Sequence, residues 1–136
     1  MSTRLIIDAE RCYQFLVEQG VTLARAADQQ GIGLEKDGEL VGGVLYEGFN
    51  GKNIWMHCAG VGSWINRKIL KAAFAYPFVQ CNVQNVWGWV EASNHKARKL
   101  NEHLGFVAHT ELQGAAKDGG PVIIYRMTRE ECRFLK

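Results

Sequence analysis

The sequence predicts an α/β fold, a mixed but mostly antiparallel sheet flanked by helices, and three observations carry that expectation. The dipeptides Asp37-Gly38 and Asn50-Gly51 separate three runs of strand-like residues, the pattern of an antiparallel meander with tight turns. Two later segments set apolar residues at helical spacing, each lying between strand-like runs. A strand that reaches the next strand through a helix favours a parallel crossover, which is right-handed. The 136 residues suit one domain over residues 1–136, with little length left for a second.

Each element follows from local chemistry. Over residues 8–19, Cys12, Phe15 and Leu16, flanked by Ala9 and Val17, recur near helical spacing, and Gly20 follows as a stop. A short strand over 5–7 is expected before this helix, while 21–30 has no clear period. Strands over 31–36, 39–49 and 53–60 make the meander. From Ser63 the period becomes helical, with Ile65, Ile69, Ala72, Ala73 and Tyr76 on one stripe and Arg67, Lys68 and Lys71 largely off it. Ser63 is the expected cap and Pro77 the expected end. A Val- and Trp-rich strand over 86–92 precedes a helix from about 94 to 104, which Gly105 ends. Strands over 106–112 and 122–127 enclose a glycine-containing loop, and Thr128 with Glu131 reads as a capping box.

Composition narrows the function. Hydrophobic residues make up 47% and charged residues 22% of the chain, a globular balance that excludes a disordered or collagen-like protein. A net charge of +2 is far from that of a non-specific nucleic-acid binder. No leader pattern opens the chain and no apolar run approaches the ~18 residues of a membrane span. The expectation is therefore a cytoplasmic protein with neither nucleic acid nor membrane as partner. Cys12, Cys58, Cys81 and Cys132 are widely spread, with no Cys-x-x-Cys pair, so they read as reduced thiols and no metal site is expected. His57 and Cys58 are adjacent on a strand and point to opposite faces, so they cannot easily act together.

Glycine is in surplus, 15 residues against a usual ~7% of a chain, and one cluster lies where chemistry is expected. Gly60-Val61-Gly62-Ser63 joins a strand to a helix, where backbone N–H groups can meet phosphate. A plain tight turn with Ser63 as cap explains the same residues. Residue 65 is Ile, so the dinucleotide fingerprint is not met. Arg67, Lys68 and Lys71 crowd one helix start, and His95, Lys96, Arg98 and Lys99 the next. Cations there oppose the macrodipole, a balance that a bound anion reverses and that solvation also tolerates.

The string Asn94-His-Lys-Ala97-Arg-Lys-Leu100-Asn101-Glu-His-Leu104-Gly105-Phe106 reads structurally as cap, inward stripe, stop and strand start. It also resembles the N-x-x-A-x-x-L-Y-x-x-x-GF signature of the GCN5-related N-acetyltransferase (GNAT) superfamily, and the element order over nearly the whole chain is similar to that fold. The shortened loop resembles small members found in phages and prophages. The resemblance implies a GNAT-like acyl-CoA N-acyltransferase fold and acetyl-CoA-dependent transfer of an acetyl group to the amine of a small molecule or peptide. Acetyl-CoA, as co-substrate, is then expected in a V-shaped opening between the strands over 53–60 and 86–92. The same resemblance implicates the backbone of Cys58, Ala59, Gly60, Val61 and Gly62, with Ser63, Arg67, Lys68 and Asn94 as further cofactor contacts. A homodimer is left open.

Two departures qualify the resemblance. The family's Q/R-x-x-G-x-G/A phosphate loop is missing, and the Tyr that protonates the leaving thiolate falls on Asn101. Tyr46, Tyr76 or Tyr125 are candidate substitutes, with Tyr125 the one assigned to the site; the alternative is a thiolate that leaves unaided. Direct attack on a thioester requires a base for the amine. The candidates are His57, Glu47 and Glu91, His57 first because its ordinary pKa lies near neutrality. Trp55, Trp87 and Trp89 are expected mostly in the core, with an acceptor pocket as their other use. A catalytically silent CoA-binding, regulatory or interaction module with the same fold is the alternative to the enzyme.

Overall fold

The computed structural model describes residues 2–135. The strands are β1 (Thr3–Ile7), β2 (Gln30–Lys36), β3 (Glu39–Glu47), β4 (Asn53–Gly60), β5 (Asn85–Glu91), β6 (Val107–Leu112) and β7 (Val122–Thr128). The helices are α1 (Ala9–Glu18), α2 (Arg67–Ala75) and α3 (His95–Leu104). One sheet runs in the order β1-β2-β3-β4-β5-β7-β6, antiparallel throughout except where β4 meets β5. The mixed, mostly antiparallel sheet read from sequence is therefore present. At the β2–β3 turn both Asp37 and Gly38 have positive φ, 53° and 83°, as a two-residue type I′ hairpin requires.

Strand alternation gives the sheet two unlike faces. Tyr46, Ile54, Met56, Val86, Val90 and Tyr125 join α2 and α3 residues in the main core. On the other face Leu45 packs with Cys12, Phe15 and Leu16 of α1, and Ala116 with Val122 and Ile124 covers Trp55 and Trp87. Position 57 lies opposite Leu45 in the β3–β4 register, so His57 shares the α1 face. Its neighbour Cys58 packs on the α2/α3 side, and the expected opposition of the two holds.

Two local expectations are corrected. The helix after β4 starts at Arg67, with Asn66 as its cap accepting the Ile69 N–H at 2.9 Å, and Ser63 does not cap it. The reason is Trp64, which is 8% exposed and lies across two glycines facing each other on β3 and β4. A Cβ at Gly42 or at Gly60 would come within 2.3 Å of the indole. Burying that ring is worth more than an early helix start. Second, Pro77 does not end the helical path, which continues as a π-helical turn over Tyr76–Gln80. Pro77 has no N–H for the Ala73 carbonyl four residues back. The buried Tyr46 hydroxyl donates to that carbonyl instead. The 21–30 stretch, which has no clear period in the sequence, is a loop that enters β2 only at Gln30.

Two stability outcomes follow. Gly42→Ala forces Cβ into the Trp64 ring and should cost ~1–3 kcal/mol, as overpacked cores do. Tyr46→Phe leaves the Ala73 carbonyl unpaired, at a cost of ~1–3 kcal/mol. Urea denaturation midpoints with unchanged m-values would verify both.

Candidate active site

The site is opened by the point where two strands part. β4 and β5 pair only at Asn53–Asn85, Ile54–Val86 and Trp55–Trp87. Asn53 clamps this short seam: its Oδ1 accepts the Trp87 Nε1 proton at 2.7 Å and the Asn85 amide at 3.1 Å. Beyond Trp55 and Trp87 the strands diverge, because each is committed to an antiparallel partner on its far side, β3 for β4 and β7 for β5. A narrow cleft results, lined by Met56, His57 and Cys58 from one strand and by Gly88, Trp89 and Glu91 from the other. Asn94, Ala97 and Asn101 of the α3 region close one side, and Val21 and Thr22 of the loop after α1 close the other.

His57 and Glu47 come together here. The His57 Nε2 lies 2.7 Å from a Glu47 carboxylate oxygen, and the imidazole is 10% exposed. The hydrogen bond from His57 and a second from the Gln29 amide, at 3.0 Å, hold the Glu47 carboxyl below the usual carboxylate range. Glu47 is therefore ionised at neutral pH and only accepts, so Nε2 must carry the proton. In the neutral ring Nδ1 is then the basic atom. Gln29 was not singled out by the sequence, since it lies in the stretch without periodicity; only proximity in space reveals it. The same loop is anchored by Asp28, which accepts the Gly48 N–H at 2.7 Å, and by an Arg25–Glu10 ion pair.

The remaining sequence-predicted residues divide. Glu91 lines the cleft and accepts the Lys117 N–H at 2.6 Å. Asn94 lines it too, while its Oδ1 caps α3 through the Ala97 N–H at 3.1 Å. Cys58 lines it with a thiol whose pKa burial pushes up to about 12. Tyr125 is not brought there: it is fully buried under α3 and its hydroxyl donates to Glu102 at 2.7 Å. Tyr46 is equally remote, spent on Ala73. Asn101 does line the cleft, its amide donating to the Ala97 carbonyl at 2.9 Å. Ala59 packs toward α1, Gly60 lies under Trp64, and the Val61 N–H goes to the Val41 carbonyl at 2.8 Å. Gly62, Ser63, Arg67 and Lys68 are exposed.

No family model matches this chain, and no curated protein sequence matches it significantly. Solved structures do. A variant of spermidine N-acetyltransferase SpeG from Vibrio cholerae superposes with a TM-score of 0.76 at 16% identity, over 100% of this chain and 98% of that one. A second SpeG variant from the same organism gives 0.71 at 17%, over 93% and 96%. The fold is that of the GCN5-related N-acetyltransferases. N-acetyltransferase PseH from Campylobacter jejuni aligns with a TM-score of 0.65 at 12%, over 93% of this chain and 98% of that one. The GNAT fold thus spans nearly the whole chain, as its resemblance at the α3 string implied.

The pH dependence of stability has a definite sign. A carboxyl whose pKa is depressed in the folded protein stabilises it above the unfolded value, and that contribution is lost as pH falls through the folded value. Glu47→Gln should therefore show a shallower loss of stability than the parent as pH falls below the ordinary glutamate value of 4.5, as measured by urea denaturation at each pH.

Proposed function

We propose that the protein transfers the acetyl group of acetyl-CoA to an amine. The observation that carries this reading is the parting of β4 and β5 beyond Trp55 and Trp87, with the Glu47–His57 pair on one wall. The divergence leaves β4 peptide groups from Met56 onward without partners from β5, a backbone edge suited to the amides of a pantetheine arm. Gly88 keeps the opposite side open: a Cβ there would come within 3.1 Å of the Asn101 side chain. Acetyl-CoA thus fits from the α2/α3 side. The acceptor amine is assigned to the α1 side, where His57 lies.

Each residue then has a task. His57 takes the proton of the incoming ammonium, and Glu47 stabilises the imidazolium that forms. The freed amine lone pair attacks the thioester carbonyl, and β4 N–H groups meet the charge that develops on its oxygen. Glu91 is the second candidate base on the same face. Asn101 cannot donate a proton as the family Tyr does, so the thiolate leaves without that acid; an alkyl thiol pKa of ~8.5 makes it an acceptable leaving group. The phosphates would meet Gly62, Ser63, Arg67 and Lys68, since Gly60 and the Val61 N–H are already committed.

The indole of Trp64 over Gly60 and the amide at Asn101 favour a second reading, a CoA-binding module without turnover. One experiment separates the two. Acetyl-CoA at 100 times its dissociation constant should stabilise the fold by ~2.7 kcal/mol, seen as a raised melting temperature. Thiol release on adding an amine panel should follow, and His57→Ala should lower kcat by roughly 100-fold or more with the thermal shift retained. A thermal shift without thiol release from any amine would select the silent module; no shift would sink both.

A further inference from the structure

On the transferase reading, the acceptor side of the cleft has a composition of its own. Beyond the last paired position, the α1 face of β4 carries His57, and the same face of β5 carries Trp89 followed by Glu91; all three line the cleft. Trp89 is 40% exposed, in contrast to Trp55 and Trp87, which Ala116, Val122 and Ile124 cover. The covered pair is fixed in its own packing. Their ring centroids lie 6.1 Å apart, His109 packs edge-on against Trp87 at 5.2 Å, and the Trp87 N–H is tied to Asn53. Trp89, by contrast, is an indole left open to the cleft, a surface for a flat or apolar group.

The charges in the same place are few. Among the described residues that line the cleft, Glu91 is the one carboxylate, and one of its oxygens already accepts the Lys117 N–H. The neighbouring acids already hold partners of their own, Glu47 by hydrogen bonds with His57 and Gln29, Asp28 by one from the Gly48 N–H, and Glu10 by its ion pair with Arg25. Arg126 stands 5.8 Å from the Trp87 ring and adds positive charge to that side. A linear polycation would bring two or more ammonium groups to a site with one carboxylate to receive them, and unpaired charge near a desolvated wall is costly. One ammonium beside an indole and one carboxylate is well matched.

We infer that the acceptor is a monoamine with a flat or apolar body, which lies on Trp89 while its ammonium sits at Glu91 within reach of His57. This separates the chain from the polyamine acetyltransferases whose fold it shares. Phenethylamine and tryptamine, measured against putrescine and spermidine by thiol release, are the probes. The aromatic monoamines should give a kcat/KM at least ~10-fold above spermidine, the range a pocket of this kind discriminates. Trp89→Ala should raise KM for phenethylamine with kcat little changed, and Trp89→Phe should restore it. Quenching of intrinsic fluorescence by phenethylamine, lost in Trp89→Ala, reports the site without turnover. Spermidine preferred over phenethylamine, or a KM unmoved by Trp89→Ala, would overturn the acceptor class while leaving acetyl transfer in place. Trp89-dependent quenching with no thiol released from any amine would keep the amine site and remove the transferase reading.

Discussion

Three residue pairs between two parallel strands are the constraint on which the rest of this molecule depends. β3 and β4 on one side and β5 and β7 on the other are long antiparallel pairs, and each twists as its own hydrogen bonds dictate. The seam between them is held at Asn53–Asn85, Ile54–Val86 and Trp55–Trp87 and no further. A longer parallel ladder would close the sheet and remove the cleft. The buried Ile54 and Val86 on one face and the Asn53–Trp87 hydrogen bond on the other keep the seam from opening more widely. The side chains immediately beyond it, His57 and Trp89, are thereby presented to a space that the backbone itself creates.

Trp64 sets the second constraint. Gly42 and Gly60 are register partners, and the indole lies across both. The close packing immobilises the chain between β4 and α2 and delays the helix start to Arg67. A loop that in this fold class is expected to wrap phosphate with its backbone has instead one amide spent on β3 and one glycine under a ring. The side chains of Arg67 and Lys68 at the start of α2 stay exposed. The arrangement gives a well-packed joint directly beside the strand that carries His57.

On the α1 face of the cleft, Gln29 joins the loop after α1 to Glu47, and Glu47 joins it to His57. The loop that walls the cleft and the Glu47–His57 pair are thus joined through hydrogen bonds. Asp28 on the Gly48 N–H and Arg25 on Glu10 fix the loop at two further points. Orientation of a base by a carboxylate that is itself oriented is a common way to hold an imidazole in one tautomer. Here the orienting residue lies ten positions from His57 in sequence and is adjacent only through the β3–β4 register.

Local chemistry determined much of this protein from sequence alone. The Asp37-Gly38 turn, the Asn94 cap and Gly105 stop of α3, and the alternation that sets His57 and Cys58 on opposite faces depend on neighbours within a few residues. Those interactions are short-ranged, so they are legible in a string of residues, and with them came the fold class; the opening between β4 and β5 was expected only from the resemblance carried by the α3 string. Ser63 and Asn66 are both competent caps, however, and only burial of Trp64 against two distant glycines chose between them. Pro77 reads as a terminator until the Tyr46 hydroxyl arrives from another strand to satisfy the carbonyl it leaves bare. Tyr125 reads as an available phenol until α3 covers it, and Gln29 reads as nothing until β3 brings Glu47 beside it. These outcomes were decided by tertiary structure, because each turns on which long-range partner wins a buried polar group or a large ring, and that competition exists only once the sheet has closed around its core.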